Sequence, residues 1–513
     1  MGKNQLRLRY SGFIVFTVQV FSVITGLIFT LLLTRNMSQA QYGIWTNIFD
    51  YVAYFTLFSG ILPFWTLRFV ARGKEGTVKT SATAQLSIAL ASMIVYFPAI
   101  ILISRAIGTI SYLTIYLIAG LYILTSFMIV LFENALQSTK PEAVGYGLLI
   151  EEIVKVSVAL VLILGFHQLF LGAVLGLVLS CFVQVFYYIS LFRAELRQKI
   201  NWGYLREWRK GSTVLIYNLV GQQLMTFALI LLFYYGGSET RAYYQAALSF
   251  TTIIGYSASL AFTLYPKLLA KTCSSEEVGI SFRTVMMLAI PFSTIVMTMA
   301  ISFLTVLNVS YGLAWPVLIA LTIDTVITLV SSFYNSCLLG AEHFDAEGKI
   351  SIRELVKSKI FKVFSLSYIQ AAIALPTVYF ILTKLPVAGS VQATLYVITI
   401  LISVHLSTFI GLYTFMHRSI RIPVAWRSIG KYILASVLMG AILFVLPTTT
   451  TLLSTIGKAL LGFLIYVGLL LAVDSQARQL LRLIWDEIEG SLQILTSKNG
   501  KLLNKNGSAT SEN

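Results

Sequence analysis

The stretch SGFIVFTVQVFSVITGLIFTLLLTRNMSQAQYG, Ser11–Gly43, decides the fold class. Its first 23 residues, Ser11–Leu33, contain no charged side chain. A helix of about 20 apolar residues crosses a hydrocarbon core of about 30 Å. Lys3, Arg7 and Arg9 precede the run, and Thr34-Arg35-Asn36-Met37-Ser38 ends it. The run is too long for the apolar region of a secretory signal and lacks a small-residue cleavage site. It is therefore predicted to stay as the first membrane span.

The same pattern repeats along the chain. Of 513 residues, 57% are hydrophobic and 11% charged, whereas about a quarter of a soluble domain is charged. Apolar runs closed by charged or Gly/Pro/Asn-rich breaks predict an all-α polytopic membrane protein. Its fourteen expected spans lie near 11–33, 44–67, 81–104, 113–135, 144–166, 169–192, 212–234, 243–264, 284–306, 313–335, 364–383, 391–416, 431–447 and 453–473. With the amino terminus inside, 31 of the 37 Lys and Arg fall on inside segments and 5 on outside turns, Arg241 among them; Lys155 lies within a span. This asymmetry makes the net charge of +16 a topology signal and an attraction to anionic lipid headgroups, and gives no support for nucleic acid. Both termini are expected in the cytoplasm of a cell-membrane protein.

Laying Ser212 onward over Ser11 onward at an offset of 201 matches Tyr42-Gly43 with Tyr243-Tyr244 and suggests an internal repeat. The expected organisation is an N-terminal lobe of six spans (1–200), a basic linker near 193–211 and a C-terminal lobe of six spans (201–430). Two extra spans (431–475) and a polar tail (476–513) follow. Starting both lobes inside makes the repeat parallel. Residues 340–363 space Ile352, Leu355, Val356, Ile360 and Val363 at helical intervals among basic residues, which predicts an in-plane cytoplasmic helix.

Ionisable residues inside spans are costly and mark function by default. Asp50, Glu133, Glu151, Glu152, Lys155 and Asp324 are the candidates. Glu151 and Lys155 share a helix face at i, i+4. Lys155 suits a phosphate contact or a proton-coupled carboxylate pair, and it equally suits a structural ion pair between helices. Asp324 lies near the midplane with no cation within a turn and suits a coupling ion or a sugar hydroxyl. Asp50 is nearer the outer surface; Glu133 and Glu152 are nearer the inner one, where solvation favours an ordinary role. Asn218 and Gln222 share a face of the seventh span, and their amides fit either sugar hydroxyls or helix stitching. Arg68, Arg72, Lys267 and Lys271 stand at equivalent inner mouths and could receive an anionic headgroup.

Cys181, Cys273 and Cys337 and the four histidines His167, His343, His405 and His417 show no metal-type spacing, so no metal site or disulfide scaffold is expected. No GxxxxGK[ST] occurs, and no other cofactor motif is present. Every outside turn is too short to hold an enzyme domain.

Leu31–Gly43, with its Arg-containing turn and Tyr-Gly opening the second span, resembles the polysaccharide flippases (Wzx-like) of the multidrug/oligosaccharidyl-lipid/polysaccharide exporter superfamily. Leu67-Arg68-Phe69-Val70-Ala71-Arg72 is similar too, and Glu347–Ser351 with Leu355–Ser358 resembles a segment of archaeal members. The resemblance implies two six-helix lobes alternating access and moving an isoprenoid-phosphate-linked or pyrophosphate-linked oligosaccharide outward. Membrane lipids, and membrane glycosyltransferases that supply the substrate, are the implied partners. Lipid II flippases share the fourteen-span count but place arginines in the first span, where this chain has no cation; Lys155 is then the nearest substitute. A multidrug or organic-cation exporter of the same superfamily is the alternative.

Overall fold

A computed structural model describes residues 3–261, 275–341, 359–386, 388–417, 425–474 and 478. Lys267, Lys271, most of the segment 340–363 and the polar tail lie outside the described residues. Among those described, the chain is all helix, with no strand. Seventeen α-helices follow one another. They are α1 Lys3–Asn36, α2 Gln39–Phe55, α3 Ile61–Ala71, α4 Thr77–Ala106, α5 Leu113–Ala119, α6 Leu121–Thr139, α7 Pro141–Leu160, α8 Leu169–Leu191, α9 Trp202–Gly236 and α10 Ser238–Gly255. After these come α11 Ser275–Thr298, α12 Ala300–Leu307, α13 Trp315–Ala341, α14 Lys359–Lys384, α15 Ser390–His417, α16 Trp426–Val445 and α17 Leu452–Val473.

The described parts of all fourteen expected spans fall on these helices and the short turns that adjoin them, and among the described residues ten are long and apolar enough to cross a membrane by themselves. The chain is a multi-pass membrane protein. The spans that fall short are informative. The second is α2 and α3, bent by 53° at Leu57–Gly60. The first, Ser11–Leu33, is uncharged throughout and lies within α1. The fifth and eighth, α7 and α10, carry buried charges, so their interior faces pack on protein instead of lipid. Both α2 and α10 give way to a 3₁₀ turn, at Leu57–Gly60 and Tyr256–Ala261. The offset of 201 carries residues 57–60 onto 258–261, within the second turn.

Among the boundaries that move, three bear on the joint between the halves. The second span begins at Gln39, where Ser38 and Gln41 form a reciprocal capping box. The seventh begins at Trp202, so the last part of the expected linker is helix, with buried Trp208 edge-on to Phe69. The eighth begins at Ser238, directly after Gly237 at φ 92°, which brings Arg241 off the expected outside turn and into a helix.

Within the first eight helices, α1 packs along α7 and α7 along α8. Gly147 of α7 permits this closeness to α8: a Cβ there would collide with the Tyr188 hydroxyl. In the second half, α9 packs along α14 and α13 along α15. The last two helices attach to α11, where the Tyr466 hydroxyl donates to the Met287 carbonyl at 2.7 Å. Large side chains such as Ile94, Phe186 and Phe444 point outward, as lipid-facing surfaces do.

The halves meet mainly along α2 and α10. Gly43 lies against the Ser238 carbonyl so closely that no side chain fits there. Tyr42 and Tyr243, the pair matched by the offset, both lie edge-on to Tyr311, with centroids at 6.2 and 6.0 Å. At the same end, Arg35 donates to the Val306 carbonyl at 2.9 and 3.2 Å and the Asn308 amide donates to the Thr34 carbonyl. Toward the other end, α9 meets the first half: Tyr54 donates to the Gln223 carbonyl and Trp65 to Ser212.

Candidate functional site

Three polar constellations stand in an otherwise apolar interior. The first joins α1 and α7. Lys155 Nζ lies 2.8 Å from Glu152 Oε1 and 3.4 Å from Glu151 Oε1. Glu152 also accepts from Ser22 Oγ at 2.7 Å and Thr25 Oγ1 at 2.6 Å. The carboxylate expected nearer the inner surface is thus 5% exposed and holds α1 to α7. The physical reason is azimuth: residue 152 faces the neighbouring helix, whose two hydroxyls and the ammonium replace water. Lys155 has its charge neutralised by two carboxylates, and its ammonium stands 6.0 Å from the Phe29 ring. Glu133 is likewise held, accepting from Gln184 and the Tyr188 hydroxyl at 3.2 Å each.

The second constellation joins the halves. Arg241 Nε and Nη2 donate to the two oxygens of Asp50 at 2.7 and 2.9 Å, and Nη1 donates to Gln245 at 3.0 Å. The pair is bidentate, which is the strong form of an Arg–carboxylate contact. The arginine side chain is 4% exposed, so it is desolvated and tied to one partner. Sequence reasoning placed Arg241 on a turn; only the packing of α10 on α2 reveals the pair, whose members are 191 residues apart.

The third joins α13 and α15, where His405 Nδ1 lies 2.7 Å from Asp324 Oδ1. Asp324 has no cation within a turn of its own helix and meets an imidazole across a helix interface. His405 lies inside the expected twelfth span, and its place in an apolar run was the one signal in the sequence. Tyr244 of α10 lies beside the second constellation, with the Arg241 guanidinium 5.5 Å from its ring centre.

Asn218 and Gln222 are neighbours on α9, with amide N to O at 3.5 Å. Gln223 and Thr226 continue the strip, and the Thr226 hydroxyl reaches Tyr54 of α2 at 3.3 Å. Gln222 and Thr226 are exposed. Arg68 packs its guanidinium 3.5 Å from the Phe64 ring centre at the end of α3, and Arg72 is exposed just beyond. Among the described residues no group of three or more His, Cys, Asp or Glu could hold a metal ion.

No family model matches the chain, and no curated protein matches it. Solved structures do. The chain is similar to the lipid II flippase MurJ in an inward closed conformation, at 14% identity over 89% of this chain and 97% of that one, with a TM-score of 0.64. It is similar to an inward-facing multidrug resistance MATE family transporter of the MOP superfamily, at 12% identity over 77% and 95%, with a TM-score of 0.59. It is also similar to an outward-facing multidrug resistance MATE family transporter, at 12% identity over 80% of this chain and 96% of that one, with a TM-score of 0.54. The chain has the fold shared by the MATE and MurJ transporters of the MOP superfamily.

Proposed function

We propose that the chain is a membrane transporter that carries the head of a lipid-linked oligosaccharide between leaflets by alternating access, leaving the lipid tail in the bilayer. The observation that carries this reading is that the halves join by different means at their two ends, α9 packing on α2, α3 and the start of α4 at one of them. The other is held by Asp50–Arg241, Gly43 against Ser238 and Arg35 on Val306. Taking that end as the outer one, the halves are joined by their charged contact on the outer side.

The strip Asn218, Gln222, Gln223 and Thr226 supplies the hydroxyl-binding chemistry, since paired amides donate to and accept from sugar hydroxyls. An isoprenoid-phosphate or pyrophosphate group is then received at the inner mouth, where the exposed Arg72 stands just beyond Arg68 at the end of α3. Neighbouring membrane glycosyltransferases would supply the glycan. Proteoliposomes loaded with a fluorescent isoprenoid-phosphate-linked oligosaccharide test this: the protein should expose the label to an external quencher. No acceleration over empty vesicles would refute it.

One observation favours a second reading, export of organic cations. Away from the helix ends the interior holds Asp50, Glu133, Glu151, Glu152 and Asp324 against the fixed cations Lys155 and Arg241, each neutralised. A surplus of carboxylates attracts cations. Extrusion of a cationic dye by the vesicles, with no glycan translocation, would select this alternative.

A further inference from the structure

We propose that the expected inner end of the last two helices, α16 and α17, is a binding site for an anionic phospholipid. Arg427, Lys431 and Arg478 hold its head beside Trp426, and its acyl chains lie along the apolar stripe that continues from them. The site is independent of what the chain transports.

On α16, Arg427, Lys431, Leu434, Leu438 and Ile442 recur at intervals of three and four residues, so they form one stripe along the helix. Read from the inner end, the stripe begins with two cations and continues with exposed apolar side chains. A phospholipid has the same order, with charge at the surface and hydrocarbon below it. A different face of α16, with Tyr432, Ala435, Met439 and Leu443, is buried against Met287, Ile295 and Met299 of α11. The cationic stripe is therefore left to the membrane.

The cations are positioned by a buried carboxylate. Asp474, the residue that ends α17, is 1% exposed and accepts from Lys431 Nζ at 3.2 Å. It fixes the ammonium at the seam between α16 and α17, while the Lys431 side chain stays 37% exposed. The Arg478 N–H donates to the Asp474 carbonyl at 3.2 Å, one helical turn that brings a third, exposed cation to the same end. Three cations thus stand around one carboxylate, an excess that an anionic head complements and a zwitterionic head does not. On α11, Arg283 lies one turn before Met287, and the acidic Glu276 and Glu277 begin the helix about 10 Å farther along its axis.

Trp426 opens α16 and is 71% exposed, directly before Arg427. Tryptophans gather at headgroup level, where an apolar ring and a polar N–H are both satisfied. On α17, Leu464, Gly468 and Leu471 recur at the same spacing before Asp474, and nothing lies within 4 Å of where a Gly468 Cβ would stand. That space accommodates an acyl chain.

The test reads Trp426 fluorescence in the full chain, reconstituted in vesicles of equal parts phosphatidylglycerol and phosphatidylcholine with one of the two brominated near the top of its acyl chains. The difference between the parent chain and Trp426→Phe isolates this indole from the other tryptophans. Brominated phosphatidylglycerol should quench it about twofold more than brominated phosphatidylcholine. Arg427→Gln with Arg478→Gln should bring the two lipids to equality, and Lys431→Gln with Asp474→Asn, which removes both members of the pair, should reduce the preference. Arg206→Gln with Arg209→Gln, exposed basic residues near the start of α9, should leave it unchanged. Equal quenching by the two lipids in the parent chain overturns the proposal. So does a preference that survives in both variants of the site, or one that falls as far in the α9 variant, because the attraction is then general to the basic surface. Loss of the preference on adding a small fraction of isoprenoid phosphate also overturns it, since the site would then belong to the transported lipid. Size-exclusion profiles and thermal melts show that each variant is folded.

Discussion

A lysine in the middle of a span must satisfy its ammonium from within the protein, and Lys155 does so with two carboxylates that are themselves held by α1 and α7. Removing it strands Glu151 and Glu152, and breaking a buried pair from one side costs about 3–5 kcal/mol. Lys155→Ala should therefore lower the melting temperature in detergent as well as stop transport, while Lys155→Arg keeps most of both. Asn218→Ala and Gln222→Ala bury no orphan charge and should leave stability within about 0.5 kcal/mol while depressing glycan translocation. A melt unchanged in Lys155→Ala would contradict the structural role of the ion pair. The sequence showed the i, i+4 spacing of Glu151 and Lys155 directly, because helical geometry fixes it. It could not show that Glu152 is the closer partner, nor that Asp50 meets Arg241 and Asp324 meets His405. Those contacts depend on how helices rotate against one another, which residue spacing does not encode.

Among the elements, α2 and α10 repay the closest attention. Their approach at Gly43 leaves no room for a methyl group, so Gly43→Ala must push the two helices apart or tilt them. Gly60, at the bend of the second span, has only the Leu219 side chain at 3.9 Å from where a Cβ would stand. Gly43→Ala should lower the melting temperature and lengthen the distance between spin labels at Ser111→Cys and Leu313→Cys, on turns of opposite halves, whereas Gly60→Ala should do neither. Equal effects from both would show that close approach is not what holds this end. The apolar runs were legible for every span, since lipid demands them. The starts of α2, α9 and α10 were less so, because their first turns are polar and are stabilised by a capping box, by Trp208 and by the Asp50–Arg241 pair. Pro63 marks the bend at Leu57–Gly60: it has no N–H for the Ser59 carbonyl four residues back, which accepts from Gln85 at 2.7 Å instead.

For the whole molecule, the basic residues predict an orientation that the packing does not test. An impermeant thiol reagent added to intact cells should label Ser111→Cys, and should label Arg197→Cys only after the membrane is opened. The reverse pattern would invert the topology and place the Asp50–Arg241 contact on the inner side. The two halves meet through a bridge that neither could complete alone. This has a consequence for the history of the chain. A carboxylate at position 50 is useful only beside a guanidinium at position 241, so substitution at either position leaves a buried charge unmatched. These two sites are expected to drift together between descendants, changing or vanishing as a pair, although 191 residues of sequence separate them. Such paired change would leave a record of the contact readable in a set of related sequences without any coordinates.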